Sequence, residues 1–320
     1  MTVKALQPPD AAAPAIAAAA VRAPAPARAA GGVTVSFEFF PPCDAQMEAT
    51  LWQSVRRLEG LAPRFVSVTY GADGSTRERT HAVIARIQSE TRLTGVPHVT
   101  CIGAPRDAIL AIARRYHAAG IRHIVALRGD PPGGAAVYQP HPQGFVHASD
   151  LVAGLRRVAE FEISVAAYPE VHPEATSAAA DLDNLKRKLD AGATRAITQF
   201  CFDSDAFLRF RDRCAAAGIV APIVAGILPI TRFPQITRFA ARCGATIPRE
   251  LQQRFDGLDD DAETRRLIAA AVAIEQVQYL ERRGVSEFHF YTLNRAELTY
   301  AICHALGLRT AAAARPAANG

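Results

Sequence analysis

The chain has 320 residues, of which 49% are hydrophobic and 21% are charged, a balance typical of a soluble globular protein. Of its net charge of +5, residues 1–32 and residues 309–320 each contribute +2, so the body carries +1 and offers no broad basic face for nucleic acid. No apolar run approaches the roughly 20 residues of a membrane span, and the six scattered cysteines indicate neither a disulfide framework nor a zinc site. These features together predict a cytoplasmic protein with reduced thiols.

The two ends of the chain differ in composition from its body. Residues 1–32 are rich in Ala and Pro. Pro14, Pro24 and Pro26 interrupt this segment and no uniform apolar stretch follows Lys4, which favours a disordered leader over a secretory signal peptide, with export as the minor alternative. Residues 309–320 have the composition of a disordered tail. The prediction is one folded domain over residues 33–308.

The first predicted strand begins at Val33 and alternates between apolar and polar residues. Thr34, Ser36 and Glu38 share its polar face, and two prolines end it at residues 41 and 42. Glu38 therefore lies near the C-terminal end of the strand, among phenylalanines. Desolvation by these rings predicts a raised carboxyl pKa, and an ion pair with an arginine at the rim is the simpler alternative.

From residue 33 onward, short apolar strands alternate with helical patterns. Seven further strands are predicted at residues 65–70, 98–102, 123–127, 163–168, 195–200, 222–228 and 285–290. Helices are predicted at residues 44–60, 77–91, 105–119, 178–191, 203–217, 235–243, 260–283 and 294–306, and another is predicted to be capped by Ser149. Asp260 and Glu263 have capping-box spacing. Eight strand–helix units predict an α/β fold, a closed (β/α)8 TIM barrel. A doubly wound open sheet is the alternative, but the chain has no G-x-G-x-x-G fingerprint.

In such a barrel the active site lies at the C-terminal ends of the strands. Those ends are polar in this chain, with Glu38, Thr69, Tyr70, His98, Thr100, Arg128, Gly129, Asp130, Tyr168, Gln199, Tyr291 and Arg295. Each residue could be structural when taken singly, as an ion-pair partner, a turn residue or ordinary packing. Together on one rim they indicate a functional site.

Three other segments have more than one interpretation. Lys186, Arg187 and Lys188 on the fifth helix could bind a phosphate, although a solvated helix face is the usual meaning of such a run. His172 and Glu174 could bind a metal, but no further ligands follow at a recognisable spacing, so no metal site is predicted. The loop at residues 131–147 is long enough to be a lid or to enclose a cofactor.

Five ordered strings of residues resemble one known family, the bacterial methylenetetrahydrofolate reductases. They are Val35-Ser-Phe-Glu-Phe-Phe-Pro-Pro42, Phe65-Val-Ser-Val-Thr-Tyr-Gly71, His123-Ile-Val-Ala-Leu-Arg-Gly-Asp130, Val165-Ala-Ala-Tyr-Pro-Glu-Val-His-Pro-Glu174 and Phe288-His-Phe-Tyr-Thr-Leu-Asn-Arg295. The family is an oligomeric flavoprotein barrel. The resemblance implies reduction of 5,10-methylenetetrahydrofolate to 5-methyltetrahydrofolate by NADH or NADPH, in a ping-pong reaction through FAD.

The resemblance also implies roles for individual residues. Glu38 matches the general acid that protonates folate N10, and Asp130 matches a catalytic residue beside flavin and pterin. The implied substrate contacts are Asp130, Gln199, Gln235, Phe239 and Arg295. The implied cofactor contacts are Thr69, Tyr70, Ala72, His98, Arg128, Gly129, Asp130, His147, Ala148, Tyr168, His172, Ala175, Asp181, Asn184, Arg187 and Lys188, with His147 standing where the family often has tyrosine.

Two other functions are considered beside this one. A pterin-binding barrel that transfers a methyl group without flavin would share the fold and the substrate class. A non-catalytic partner subunit would be expected to lack Glu38 or Asp130, and both are present. The choice between NADH and NADPH and the symmetry of the oligomer stay open, since no ribose-binding acid or arginine can be identified.

Overall fold

The structure is a computed structural model that describes residues 32–70, 76–130 and 138–309. Eight parallel strands form a closed barrel in chain order, and the last strand pairs with the first. This arrangement confirms the predicted (β/α)8 barrel and excludes the open sheet. The predicted leader and tail, apart from Gly32 and Arg309, and residues 131–137 of the long loop lie outside the described residues.

The strands and helices alternate around the barrel. The strands are β1 (Thr34–Phe39), β2 (Val66–Val68), β3 (Gly95–Thr100), β4 (His123–Leu127), β5 (Glu162–Ala167), β6 (Arg195–Thr198), β7 (Ile223–Ile227) and β8 (Glu287–Tyr291). The helices are α1 (Ala45–Glu59), α2 (Arg77–Glu90), α3 (Arg106–Ala118), α4 (Ala148–Val158), α5 (Ala178–Asp190), α6 (Ser204–Ala216), α7 (Phe233–Cys243), α8 (Arg249–Gln253), α9 (Ala262–Glu281) and α10 (Ala296–Ala305).

Several predicted element bounds are displaced, and one short helix is unexpected. Helix α7 begins at Phe233 and not at 235, α10 begins at Ala296 and not at 294, and β3 begins three residues before its predicted start at 98. Two helix caps also differ from those predicted. Helix α4 follows His147, whose backbone N–H donates to Asp150 Oδ2 at 2.9 Å, so Ser149 lies inside the helix and does not cap it. Helix α9 is capped by Asp261, whose Oδ1 accepts from the Thr264 N–H at 2.9 Å, one residue after the predicted cap. Helix α8 is too short to give a periodic signal.

Most of the hydrophobic core lies between the barrel and the surrounding helices. On β1, Val35 and Phe37 are buried in this layer, whereas Ser36 and Glu38 face the inside of the barrel, as the alternation of the strand predicts. A smaller apolar cluster fills the interior of the barrel itself and contains Phe65, Val96, Val125, Ile197 and Val224. This cluster separates the two ends of the barrel from each other.

The N-terminal end of the barrel is closed by ion pairs between buried and half-buried side chains. Arg195 is 2% exposed and pairs with Glu162 and, through Nε at 3.4 Å, with Glu287 Oε2. Arg64 Nη2 lies 3.4 Å from Glu162 Oε1. His123 Nε2 lies 2.8 Å from the Ser164 hydroxyl. Because these charged groups lie in ion pairs with one another, we interpret this end as structural, although Arg195 Nε makes no hydrogen bond within the described residues.

In the part of the chain that the structure describes, the state of the cysteines and the character of the helices match two predictions made from the sequence, reduced thiols and no membrane span. All six cysteines are free. Burial raises the pKa of the Cys101 and Cys303 thiols to about 12, so both are unreactive at neutral pH. Within the described ranges, no helix is both long enough and apolar enough to cross a membrane.

Candidate active site

A cavity of about 730 Å³ opens at the C-terminal end of the barrel. Its walls are formed by the ends of β1 to β6 and β8, the loops that follow them, and helix α5. This volume lies within the range of cofactor and substrate pockets, and its position is that of the active site in other barrels of this type.

The cavity gathers nearly all the residues for which the sequence implies a cofactor contact. Those that line it are Thr69, Tyr70, His98, Arg128, Gly129, Asp130, His147, Ala148, Tyr168, His172, Ala175, Asp181, Asn184, Arg187 and Lys188. Ala72 lies outside the described residues. The two implied catalytic residues, Glu38 and Asp130, line the same cavity.

The implied substrate contacts are only partly brought together. Asp130 and Gln199 line the cavity. Gln235 and Phe239 lie on helix α7 and are half-buried, and Arg295 is exposed at the start of α10. Phe239 and Tyr291 pack against the same apolar cluster, and Tyr291 also lines the cavity. Helix α7 and the start of α10 follow β7 and β8, so all three residues belong to the C-terminal end of the barrel without lining its cavity.

Glu38 meets two histidines in the interior of the barrel. Its Oε2 lies 3.4 Å from His98 Nε2 and 3.5 Å from His289 Nε2, and its side chain is 20% exposed. Burial raises the pKa of this carboxyl, but the nearby imidazoles of His289 and His98 outweigh burial and lower the pKa below its usual value. The upward shift of the Glu38 pKa that the sequence predicts is therefore wrong in direction. The prediction considered only the phenylalanines adjacent in sequence, whereas two histidines from distant strands lie beside the carboxylate in space.

The end of β1 is fastened to the loop after β8. Thr292 Oγ1 donates to the Glu38 carbonyl at 2.6 Å. The Asn294 side chain accepts from Phe40 N–H at 2.9 Å and donates to the Phe40 carbonyl at 2.8 Å, which continues the pairing of the two strands. Asn294 has a φ of 57°, a left-handed conformation that asparagine tolerates better than most residues. The backbone of Glu38 is thereby held rigidly.

Tyr291 depends on a glycine in the neighbouring strand. Its hydroxyl donates to the Thr198 carbonyl at 2.8 Å. A Cβ at Gly226 would lie 2.1 Å from the Thr198 carbonyl oxygen and 2.9 Å from the Tyr291 ring. Glycine is therefore needed at this position for the ring to lie across β6 and β7 at the wall of the cavity.

Helix α5 directs part of its basic run toward the cavity. Lys188 is buried, its Nζ donates to the Ala166 carbonyl at 2.6 Å, and burial lowers the pKa of its ammonium to about 8. Arg187 is exposed but also lines the cavity. Lys186 instead pairs with Asp190 at 3.2 Å on the surface of the helix. Lys186 therefore fits the solvated interpretation, whereas phosphate binding by Arg187 and Lys188 stays a prediction.

Arg128 and Glu174 form a two-pronged ion pair at the wall of the cavity. Their atoms approach to 2.5 Å and 2.9 Å, and the Arg128 guanidinium lies 4.5 Å from the centre of the Tyr138 ring. The pair raises the pKa of Arg128 and lowers that of Glu174. His172 Nδ1 accepts from the Glu174 N–H at 3.0 Å. These two candidate metal ligands therefore have other partners, and the described residues contain no group of three or more His, Cys, Asp or Glu side chains suited to a metal ion.

The loop that carries His172 is strained and connected to α7. Val171 has a φ of 92°, a left-handed value that is an outlier for a β-branched residue. Both carboxylate oxygens of Glu170 accept from the Thr246 N–H, at 3.1 Å and 3.0 Å. Thr246 follows the end of α7, so this contact fixes the cavity wall relative to the helix that carries Gln235 and Phe239.

The sequence did not indicate two features of the site. One is His289 beside Glu38, and the other is the ion pair of Glu174 with Arg128. His289 is fully buried and closer to Glu38 than any arginine is. A signal was available for it, because Glu287, His289 and Tyr291 alternate on one face of β8. The Arg128–Glu174 pair joins residues 46 positions apart, and no local pattern indicates such a contact.

Comparison with known proteins identifies the family. Residues 25–307 match the sequence model of the family described as methylenetetrahydrofolate reductase. The chain belongs to this family. It is 58% identical over 279 residues to the 5,10-methylenetetrahydrofolate reductases of Escherichia coli and of Shigella flexneri, with 87% of this chain and 92% of each relative covered.

A solved structure supports the fold independently. It belongs to an uncharacterized protein from Clostridium thermocellum, described as binding two copies of 5-methyl-5,6,7,8-tetrahydrofolic acid. The TM-score is 0.56 with 16% sequence identity, over 85% of this chain and 93% of that one. At this identity the likeness concerns the barrel fold alone.

Proposed function

We propose that this member of the methylenetetrahydrofolate reductase family reduces 5,10-methylenetetrahydrofolate to 5-methyltetrahydrofolate with NADH or NADPH as reductant and FAD as cofactor. The observation that carries the proposal is the single cavity in which Glu38 and Asp130 lie together with the basic end of α5. The chemistry that FAD supplies when bound is acceptance of a hydride from the nicotinamide and its later delivery to the folate, a ping-pong order that one shared cavity suits.

The residues of the cavity fit a large anionic cofactor with polar ring atoms. Tyr70 Oη and Thr100 Oγ1 line the cavity as buried polar atoms without a hydrogen-bond partner among the described residues, and buried polar atoms normally have one. Lys188 and Arg187 supply positive charge for a diphosphate, and Asp181 and Asn184 on the same helix supply polar contacts. We assign these residues, with His98 and Tyr168, to FAD binding.

Glu38 is the proton donor in this proposal. Its Oε2 faces the two histidines, and its Oε1 makes no hydrogen bond within the described part of the chain, so Oε1 is available to folate N10. The lowered pKa means that the carboxyl is ionised near neutral pH in the open cavity. Burial is the largest influence that raises its pKa, so covering its exposed fifth with cofactor and folate favours the protonated form that an acid requires.

Asp130 has an electrostatic role. It lies in the loop after β4, on the cavity wall and exposed to solvent, where its carboxylate can stabilise positive charge that develops on the folate after N10 is protonated. Gln199 lies on the same wall and is assigned to folate binding. Gln235, Phe239 and Arg295 are assigned to the part of the folate that extends out of the cavity toward α7 and α10.

The proposal is tested with the variant Glu38→Gln, which keeps the size of the side chain and removes its acid. We expect the purified protein to be yellow with bound flavin, and the variant to reduce its flavin with NADH or NADPH within about twofold of the wild-type rate. Oxidation of the reduced flavin by methylenetetrahydrofolate should be slower by at least 100-fold, since general acid catalysis contributes about 10² to 10⁴.

Stopped-flow absorbance at about 450 nm follows both half-reactions. A control outside the cavity, Glu281→Gln at the end of α9, should leave both rates unchanged. A colourless protein unable to take up FAD would overturn the proposal and favour the methyltransferase alternative. If folate reduction persisted in Glu38→Gln, the acid role would be wrong.

A further inference from the structure

The two oxygens of the Glu38 carboxylate have different surroundings. The imidazoles of His98 and His289 both lie close to Oε2, at 3.4 Å and 3.5 Å, and Glu38 lines the cavity. Both distances are longer than a normal hydrogen bond, as is common for catalytic contacts before the substrate is present. Among the described residues, neither carboxylate oxygen accepts a hydrogen bond of normal length, and both imidazole contacts are to Oε2.

His289 is fixed in place on every side. It is fully buried, and the closed barrel places it directly opposite Ser36 in the register of β8 with β1. The Phe65 ring stacks on it with centroids 5.8 Å apart, and the Tyr291 ring meets it edge-on at 5.4 Å. Its Nδ1 lies 2.7 Å from the Ser36 hydroxyl. The position of the ring is thus determined, and its tautomer is the property that can vary.

Ser36 has a hydroxyl that can serve both tautomers. When the hydroxyl donates to Nδ1, the proton of His289 lies on Nε2 and points at Oε2, which suits an ionised Glu38. The Ser36 oxygen also lies 3.4 Å from the Phe288 carbonyl. When the hydroxyl donates there, it accepts from Nδ1–H, and the bare Nε2 suits a protonated Glu38. The His289 imidazole stays neutral in both states.

We infer that His289, with its tautomer set by Ser36, is a positioning residue that holds Glu38 Oε2 so that Oε1 meets the folate. The inference rests on the proposed function, in which Glu38 gives its proton to the substrate. Ser36 on β1 and His289 on β8, which pair where the barrel closes, would thus hold the Glu38 carboxyl group in both its protonated and its ionised state.

The groups around this pair determine the expected pH response. His98 on β3 and Tyr291 on β8 face Glu38, while His123 on β4 meets the Phe65 ring edge-on with centroids 4.6 Å apart. Burial lowers the pKa of His98 to about 4 and that of His123 to about 3, so both are neutral across the working range. Loss of the donor at His289 should therefore move the titration of Glu38 itself to higher pH.

The test compares Ser36→Ala, His289→Leu and His289→Gln with Ser67→Ala as the matched control. Ser67 is fully buried on the neighbouring strand in register with Glu38, and its hydroxyl has no hydrogen-bond partner among the described residues. The glutamine variant keeps an N–H donor at this position.

The first measurement is a ¹³C carboxyl NMR titration of ligand-free protein, with the Glu38 signal assigned by Glu38→Gln. We expect His289→Leu to move the midpoint to higher pH by about 1 pH unit and Ser36→Ala by about half as much, because a charge-assisted hydrogen bond is lost or weakened. Ser67→Ala should leave the wild-type midpoint unchanged. His289→Gln should bring the midpoint most of the way back from the His289→Leu value to the wild-type value.

The second measurement is stopped-flow kinetics of the two half-reactions. Folate-dependent flavin oxidation should fall about 10-fold in Ser36→Ala and 10- to 100-fold in His289→Leu, and flavin reduction by the nicotinamide should stay within about twofold. If Ser36→Ala, which preserves packing, kept both the wild-type midpoint and the wild-type folate rate, the inference would be overturned. Equal slowing of both half-reactions would also overturn it, as a purely structural effect. Loss of the acid role is detected separately by Glu38→Gln.

Discussion

The two ends of the barrel interior both carry buried histidines and carboxylates, but they differ in how these groups are satisfied. At the N-terminal end, Arg195 lies between Glu162 and Glu287, and His123 meets Ser164. At the C-terminal end, Glu38 faces two histidines at distances near the limit of hydrogen bonding, with one oxygen open. The comparison shows that polar groups alone do not mark a site; unsatisfied ones facing a cavity do.

The difference follows from what each end can bind. The interior cluster around Phe65 separates the ends, so the N-terminal ion pairs lie outside the large cavity and mainly compensate one another. The C-terminal groups line a cavity of about 730 Å³ and keep part of their bonding capacity for what enters it. The N-terminal ion pairs stabilise the barrel, whereas the barrel holds the C-terminal side chains in position around the cavity.

The largest expected effect is a loss of stability in acid that involves both ends. Burial lowers the pKa of His98 to about 4 and of His123 to about 3 from an ordinary 6.5, and it lowers that of His81, between α2 and α3, to about 4. The unfolded chain therefore binds more protons than the folded one below pH 6.5. The free energy of unfolding should fall as pH decreases from about 6.5 toward 4, by up to about 3 kcal/mol per histidine.

Urea unfolding at a series of pH values measures this loss. The slope of the unfolding free energy against pH should correspond to about one proton fewer taken up on unfolding in His123→Gln. His304→Gln, at an exposed histidine, is the control. A flat profile between pH 6.5 and 4.5 would show that the buried histidines do not have the lowered pKa values on which the prediction rests.

The second effect concerns the N-terminal end alone. Arg195→Met should lower the free energy of unfolding by about 3 to 5 kcal/mol, because it leaves Glu162 and Glu287 without their buried partner. The control Arg64→Met removes a pair whose arginine is 35% exposed and should cost about 1 kcal/mol or less. Urea denaturation gives both values, and flavin content below the transition should match the wild type. Loss of flavin in folded Arg195→Met would contradict the separation of the two ends.

The smallest effect concerns the cofactor side of the C-terminal end. Glu174 holds the Arg128 guanidinium and adds a negative charge beside the cavity. Because FAD, the cofactor proposed for this cavity, is anionic, Glu174→Gln should lower its Kd by about two- to fivefold, an effect limited by the 48% exposure of Glu174. Flavin fluorescence titration measures this Kd, with Glu160→Gln as a control in a surface pair with Arg156. A higher Kd would show instead that the ion pair holds Arg128 ready for the cofactor.

The sequence predicted much of the fold because the signals are local. Strand β4 begins and ends where its apolar run does, and β1 keeps its polar face inward as its alternation requires. Helix starts were less certain, since Asp260 and Asp261 can each cap a helix and local spacing does not choose between them. The cavity-lining residues at strand ends, among them Glu38, Arg128 and Tyr168, were identifiable because strand parity and barrel topology together fix where those ends meet.

Contacts between distant segments were decided only by the tertiary structure. Ser36 meets His289 across 253 positions because the closure of the barrel sets the register of β1 with β8, and no local period encodes that register. The same closure brought His289 and His98 to Glu38 and reversed the expected direction of its pKa shift. The sequence by itself determined that a carboxylate stands at the end of the first strand; the closed barrel decided which imidazoles surround it, since electrostatic environment depends on distance in space and not along the chain.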